Sequence, residues 1–268
     1  MTDRTPQGLE KDHNQTIREE FTRQATAYAA NASLHDPARI ARLVQAVQPA
    51  PEQRVLEVAT GPGHVAMAFA AIARAVVGVD LTEAPLAIAE RRRQDLGLHN
   101  VSFRIADASH LPLANSEFDI VVCRFAFHHF TDAPHMLGEM VRVCARQGTL
   151  AVEDLIVSEH PARAAYQNCF ENLRDPSHVA AFSLRTLLTF FAKAGLEIEH
   201  VATDHLTQSV ERWLTNAQTP ADRATEVRDL IEQDAREDLS GVRPFRTADG
   251  QWWFRQRTVI LVGRKLRP

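Results

Sequence analysis

The sequence predicts an α/β protein built on a mostly parallel sheet with helices on both faces. Apolar runs of strand length alternate with helical patterns from about residue 54 to residue 154. One of these runs breaks into a glycine turn that opens a helix, and several end in an acidic residue. Alternation of this kind builds βαβ units, which pair strands in parallel and place the intervening helices over the sheet.

Taken in order, residues 1 to about 15 read as a loose polar tail. Asp36-Pro37 starts a helix, with the aspartate as N-cap and proline in the first turn, and Ile40, Leu43, Val44 and Val47 form its apolar stripe. Strands are expected at 54–58, 75–80, 101–106, 118–123 and 148–154, separated by helices at 63–73, 82–96 and 134–145. The last of those helices carries Leu137, Met140, Val141 and Cys144 on one face. After Asp154 the rhythm changes, and 155–180 reads as helical without a strand. Ser183 caps a helix with Leu184, Leu187, Leu188 and Phe191 on one face, and Gly195 ends it. Leu196, Ile198 and His200 alternate with polar residues as in a half-buried strand, 207–240 is charged and mostly helical, and a last strand runs over 252–262. The expected organisation is one domain over 36–268, with insertions at about 155–180 and 207–250 that cover the mouth of the sheet, preceded at 1–35 by an N-terminal tail and a covering helix.

The chain has 268 residues, 45% hydrophobic and 24% charged, as in an ordinary globular protein with one well-buried core. A net charge of −4 gives no reason to expect a polyanionic partner, so nucleic acid is not expected. The Arg91-Arg92-Arg93 cluster falls in a helical pattern and reads as a solvated face. Cys123, Cys144 and Cys169 lack metal-ligand spacing and cannot all pair, so no metal is expected. The polar N-terminus has no apolar signal core, and no apolar run reaches membrane-spanning length; the expected location is the cytoplasm.

Residues 55–64, Val-Leu-Glu-Val-Ala-Thr-Gly-Pro-Gly-His, are the most informative stretch. Gly61 and Gly63 let backbone N–H groups approach a ligand at the start of a helix, because glycine has no Cβ and tolerates positive φ. A second strand then ends in Asp80, as expected of a nucleotide-type cofactor site. Gly61-Pro62-Gly63-His64-Val65-Ala66 also fits the dinucleotide fingerprint formally. Glu57 before the turn, a third acidic strand end at Asp107, and the lack of a second mononucleotide half argue against a nicotinamide cofactor.

Residues 55–64 and 77–81, Asp107-Ala108, Phe118-Asp119 and residues 148–154 match in order the motifs of class I S-adenosylmethionine-dependent methyltransferases. The chain most resembles their small-molecule type-11 branch, related to ubiquinone/menaquinone-biosynthesis C-methyltransferases. Residues 123–130, Cys-Arg-Phe-Ala-Phe-His-His-Phe, and 174–178, Arg-Asp-Pro-Ser-His, resemble one bacterial subgroup of that branch. The resemblance implies a Rossmann-like, seven-stranded, mostly parallel sheet with helical lid insertions, and S-adenosylmethionine as cofactor. It implies that the backbone from Ala59 through Gly61 and Gly63 meets the methionine portion and ribose, with Glu57 orienting the turn. Asp80 would accept both ribose hydroxyls, Leu81 would pack on adenine, and Asp107 with the Ala108 N–H would read the adenine edge. Arg124 would lie at the methionine end, and residues 21–28 resemble the segment that closes over the cofactor, with Tyr28 against the methionine part. Pro62 replaces a small residue, and Cys-Ala-Arg-Gln-Gly at 144–148 replaces the usual Leu-Lys-Pro-Gly-Gly.

Methyl transfer is an in-line displacement, and a hydroxyl or carbon-acid acceptor also needs a base. Side chains at the carboxyl ends of strands four and five are the candidates: His129 first, for its near-neutral reference pKa, then His128, Glu153 and Asp154. Each has a structural alternative as a cap or a packing group. His178 projects from the first insertion, and an ordinary turn at Asp175-Pro176 accounts for it equally well. Phe125, Phe127, Phe130, Phe170 and Phe182 are candidates to line an apolar pocket, or plain core. The expected substrate is a small, aromatic or polyketide-like metabolite methylated on carbon or oxygen. The alternatives are a cofactor-binding enzyme of cyclase or decarboxylase type, which would release no S-adenosylhomocysteine, and a non-catalytic binding module.

Overall fold

The computed structural model describes residues 6–32 and 34–266. Its sheet runs in the order β3-β2-β1-β4-β5-β9-β7. These strands are β1 (Arg54–Val58), β2 (Ala75–Asp80), β3 (Val101–Ile105), β4 (Phe118–Arg124), β5 (Cys144–Val157), β7 (Leu196–Ser209) and β9 (Trp252–Lys265). The first five are parallel, and β9 lies antiparallel between β5 and β7. Two short strands, β6 (Phe182–Ser183) and β8 (Phe245–Arg246), pair with β5 and β9. This is the seven-stranded, mostly parallel α/β architecture expected, with two short strands added at the rim.

Both faces of the sheet are covered, which is why its central strands read as continuous apolar runs. Leu56, Val58, Val121, Cys123, Leu150 and Val152 pack beneath α5 (Ala133–Val143) and α7 (Leu184–Lys193). Their neighbours Val55, Ile120, Val122 and Ala151 face α2 (Pro37–Val47) and α3 (His64–Ala70). The period-two alternation of strand side chains divides one run of sequence between two cores. The connection between β2 and β3 is α4 (Glu83–Asp95). A third core joins α6 (Pro161–Arg174), α8 (Val210–Asn216) and α9 (Ala221–Glu237) to the end of β9. At its centre Phe170, Trp213 and Phe254 meet edge to face, with ring centroids 4.9 Å apart for Trp213–Phe254 and 6.0 Å for Phe170–Trp213.

Several boundaries depart from expectation. The supposed tail is helical from Pro6: α1 spans Pro6–Ala29 and lies against α4. Its polar composition hid it, because contacts over the strand ends hold it in place instead of a broad apolar stripe. Cys144 ends no helix; α5 stops at Val143 and β5 begins at once, four residues earlier than expected. That strand also continues past Asp154 to Val157, inside the span read as strandless. Strand β7 runs on to Ser209 and β9 to Lys265 because the two pair along nearly their whole length.

Candidate active site

The glycine turn after β1 is held from below. The buried Glu57 carboxylate accepts hydrogen bonds from Thr60 Oγ1 at 2.5 Å and from the Ala66 N–H at 2.8 Å, tying the turn to α3. Burial pushes the Glu57 pKa up to about 8 despite those two bonds. Along the turn Ala59 (φ 56°), Gly61 (φ 52°) and Gly63 (φ 77°) adopt left-handed backbone. At Gly63 a Cβ would stand 2.8 Å from the Phe103 ring, so glycine is needed there for packing. Asp80 closes the arrangement: its Oδ2 accepts from the Gly61 N–H at 2.8 Å and its Oδ1 from the Thr82 N–H at 2.9 Å. Burial raises its pKa against the pull of these donors.

A cavity opens at this end of the sheet. Ala59, Gly61, Asp80, Leu81, Asp107, Ala108, Tyr28 and His129 all line it, as do Phe125, Phe130 and Met136. Its roof is α1, through His13, Asn14, Ile17 and Phe21. Asn14 Nδ2 donates to Asp107 Oδ2 at 2.7 Å, while Asp107 Oδ1 accepts from the Ser109 N–H and hydroxyl at 2.9 and 2.8 Å. The His13 ring donates through Nε2 to the His129 carbonyl at 2.9 Å. Tyr28 is buried here, and burial raises its phenol to about 12.

A second cavity adjoins the first, and Phe21, Tyr28, Phe125 and His129 line both. Its remaining wall mixes polar groups, Gln24, Asn31, Glu171, Arg174, Asp175, Gln208 and Gln256, with His128, His178, Trp213, Leu34, Leu155 and Leu206. A chain of buried hydrogen bonds runs from Gln208 to Gln256 to Glu171. His128 Nδ1 meets Asp154 Oδ1 at 2.6 Å. Burial acts to lower the His128 pKa, but the charge and hydrogen bond of Asp154 outweigh it and the pKa is raised. His129 differs: its Nδ1 lies 2.9 Å from the Ser177 carbonyl, which fixes the Nδ1–H tautomer. Burial and the neighbouring His128 lower its pKa to about 4, so its Nε2 is an unprotonated acceptor. His178 bonds through Nε2 to Asn168 Oδ1 at 2.8 Å.

Other candidates lie outside both cavities. Glu153 is two per cent exposed, and its carboxylate receives Arg124 Nε at 2.6 Å. Arg124 also donates through Nη2 to the Leu34 carbonyl at 2.7 Å, and its guanidinium stacks over Phe125 at 4.4 Å from the ring centroid. The pair braces the loop before α2. Glu57 and Gly63 support the turn from behind. Of the five phenylalanines, Phe125 and Phe130 line cavities, Phe127 and Phe170 are core, and Phe182 packs on Phe190. Sequence reasoning missed His13, Asn14 and the polar groups of Asn31, Glu171, Gln208 and Gln256. Those residues carry no local motif; only the path of the chain gathers them. Among the described residues no His, Cys, Asp and Glu converge as a metal-ligand set.

The residues present fit S-adenosylmethionine. Asp107 already receives an –NH₂ donor, the group an adenine edge would offer, and Asp80 keeps lone pairs for ribose hydroxyls after its two backbone bonds. The left-handed turn at Gly61 leaves a cradle in which an added Cβ would meet Tyr28 at 3.7 Å.

A doubly wound sheet with a glycine turn, an acidic second strand end and a cavity over the strand ends defines a Rossmann-like protein for a nucleotide-type cofactor. Comparison with known proteins specifies which kind. A family model described as a methyltransferase domain matches residues 50–218. An uncharacterised methyltransferase of Bacillus subtilis (strain 168), YcgJ, is 30% identical over 207 residues, covering 77% of this chain and 82% of that protein. Its crystal structure superposes with a TM-score of 0.81 at 27% identity, over 86% of this chain and 99% of the other. The demethylmenaquinone methyltransferase of Thermus thermophilus is 41% identical over 109 residues, 40% of this chain and 49% of that one. The chain belongs to the methyltransferase-domain family and is an S-adenosylmethionine-dependent methyltransferase of class I fold.

Proposed function

We propose that the cavity beneath α1 holds S-adenosylmethionine and that the adjoining polar cavity holds a small-molecule acceptor. The observation that carries this reading is the shared wall: Phe21, Tyr28, Phe125 and His129 line both cavities, so two occupants would meet there. The acceptor is aromatic or polyketide-like, with its flat body against Phe21, Phe125 and Trp213 and its polar groups toward Gln24, Asn31, Gln208 and Gln256. Relatives named as demethylmenaquinone methyltransferases, of which the chain spans about half the length, support a small-molecule acceptor.

When bound, S-adenosylmethionine supplies a methyl group made electrophilic by a sulfonium. Asp80, Asp107 and the 59–63 turn would hold it beside the shared wall. Holding the reacting atoms in line supplies several kcal/mol of the barrier reduction. His128 is the base: Asp154 on Nδ1 orients the ring and stabilises the imidazolium formed as Nε2 takes the acceptor's hydroxyl or carbon-acid proton. His129, held neutral, accepts a hydrogen bond from the acceptor and positions it. This reverses the order expected from sequence, where His129 came first.

The test uses purified protein, methyl-labelled S-adenosylmethionine and a small-molecule extract of the producing organism, and reads label in organic-soluble species together with S-adenosylhomocysteine. Asp80→Ala is expected to weaken cofactor binding at least 100-fold by calorimetry, and unchanged affinity would overturn the site assignment.

A further inference from the structure

A third cavity lies away from the two just described, between α6, the 240–243 loop and the outer ends of β5, β7 and β9. Four arginines line it, Arg163, Arg243, Arg255 and Arg257, together with His205, and no carboxylate does. In a chain of net charge −4 this is a local inversion of sign.

The backbone brings the four together. Arg255 and Arg257 are two apart on β9 and therefore project to one face, opposite Gln256 of the acceptor cavity. The Arg255 N–H donates to the Val242 carbonyl at 2.8 Å, which straps the loop to the strand and seats Arg243 beside Arg255. Arg163 reaches the same loop from α6, its guanidinium atoms 3.6–3.9 Å from where a Cβ on Gly241 would stand. Among the described residues, Arg163 alone of the four has an ion-pair partner, Asp238. Arg243, Arg255 and Arg257 form no ion pair among the described residues, and Arg255 rests over the Phe245 ring.

The surrounding carboxylates are committed elsewhere. Asp234 accepts from the Ser240 N–H at 2.6 Å and from its hydroxyl, and Glu159 accepts from the Arg185 N–H at 2.9 Å, feeling Arg257 only from beyond ion-pair distance. Guanidinium groups stay protonated, so three of them lining one cleft repel each other, and among the described residues none of the three has an ion-pair partner to offset it. The rest of the wall offers Ser158 and the buried Gln167, above an apolar floor of Ile156 and Val242.

We propose that this cleft is a binding site for a small molecule bearing a diphosphate group, separate from the methyl-transfer site. Guanidinium forks match phosphate oxygens bidentately, and a diphosphate presents enough of them to engage Arg243, Arg255 and Arg257 at once. The assignment stands whether or not the roles given above to His128 and Asp80 are correct.

The test is calorimetric titration of the full chain with inorganic pyrophosphate and, separately, with ADP, at low and at physiological ionic strength. Saturable binding that weakens with salt, and falls at least tenfold in the Arg255→Gln/Arg257→Gln double variant, supports the site. Tighter binding of ADP than of pyrophosphate assigns a nucleotide-borne diphosphate seated on Ile156 and Val242, and equal binding assigns the diphosphate alone. Absence of saturable pyrophosphate and ADP binding at low salt, or equal binding by the double variant, overturns it. S-adenosylmethionine affinity is measured on the same samples and is expected to be unchanged in the variant, which shows that the fold is intact.

Discussion

At the scale of single residues, two consecutive acids have opposite fates. Glu153 and Asp154 were both legible as the acidic end of a strand, but alternation sends one to Arg124 and the other to His128. Only the register against β4 and β9 decides which side chain meets His128, and no single-sequence pattern carries that register. The strand-end acids Asp80 and Asp107 were easier to read, because each follows an apolar run, and both line the first cavity. The His128–Asp154 pair makes a pH prediction. Asp154 raises the His128 pKa, so the rate of label transfer should rise with pH through a limb that lies above that of free imidazole, as the base loses its resting proton. Asp154→Asn removes the charge that raises it. The limb should then move to lower pH, and the plateau rate should fall 10²–10⁴-fold, the range typical of general-base catalysis. A pH–rate profile that keeps its limb in the variant would remove His128 from the base role.

Among the elements, α1 was the one least legible and the one most engaged at the site. A helix shows itself in sequence through an apolar stripe or strong caps. Residues 6–15 offer neither a stripe nor an acidic first turn, and the helix earns its place through Asn14 on Asp107, His13 on the His129 carbonyl and Gln24 against Asp175. Strands β1, β2, β4 and the middle of β5 were legible because burial on both faces leaves apolar runs, whereas the far ends of β7 and β9 are polar and form because each pairs with the other. Asn14 stands where the adenine amino group is expected to go, so the two compete for one carboxylate oxygen. Asn14→Ala frees it. The variant should bind S-adenosylmethionine several-fold more tightly, on the scale of about 1 kcal/mol for a single hydrogen bond, as read by calorimetry. Weaker binding would instead make Asn14 part of the closed complex.

Over the whole molecule, buried titratable groups set the pH range in which the fold holds. His35, His64 and His129 have pKa values lowered to about 3, 4 and 4, first of all by burial. An unfolded chain takes up protons on these rings as pH falls through about 6.5, whereas the folded chain does so only near pH 3–4. Their contribution is therefore fully present above pH 6.5 and is lost as pH falls toward 4. Glu57 acts in the opposite sense: its pKa of about 8 makes its contribution greatest below about 4.5 and lost as pH rises through 8. Urea denaturation at pH 5, 6.5 and 8 should show both slopes, and Glu57→Gln should flatten only the alkaline one. A wild-type alkaline slope that survives in Glu57→Gln would place its origin elsewhere. The shared wall has one more consequence, for the order of events in a catalytic cycle. Phe21 and Tyr28 belong to α1 and face both cavities, so the helix cannot settle around one guest without shaping the room of the other. On the assignment of those rooms to donor and acceptor, each guest prepays part of the other's cost of entry. Thermodynamic linkage makes any such coupling mutual and equal.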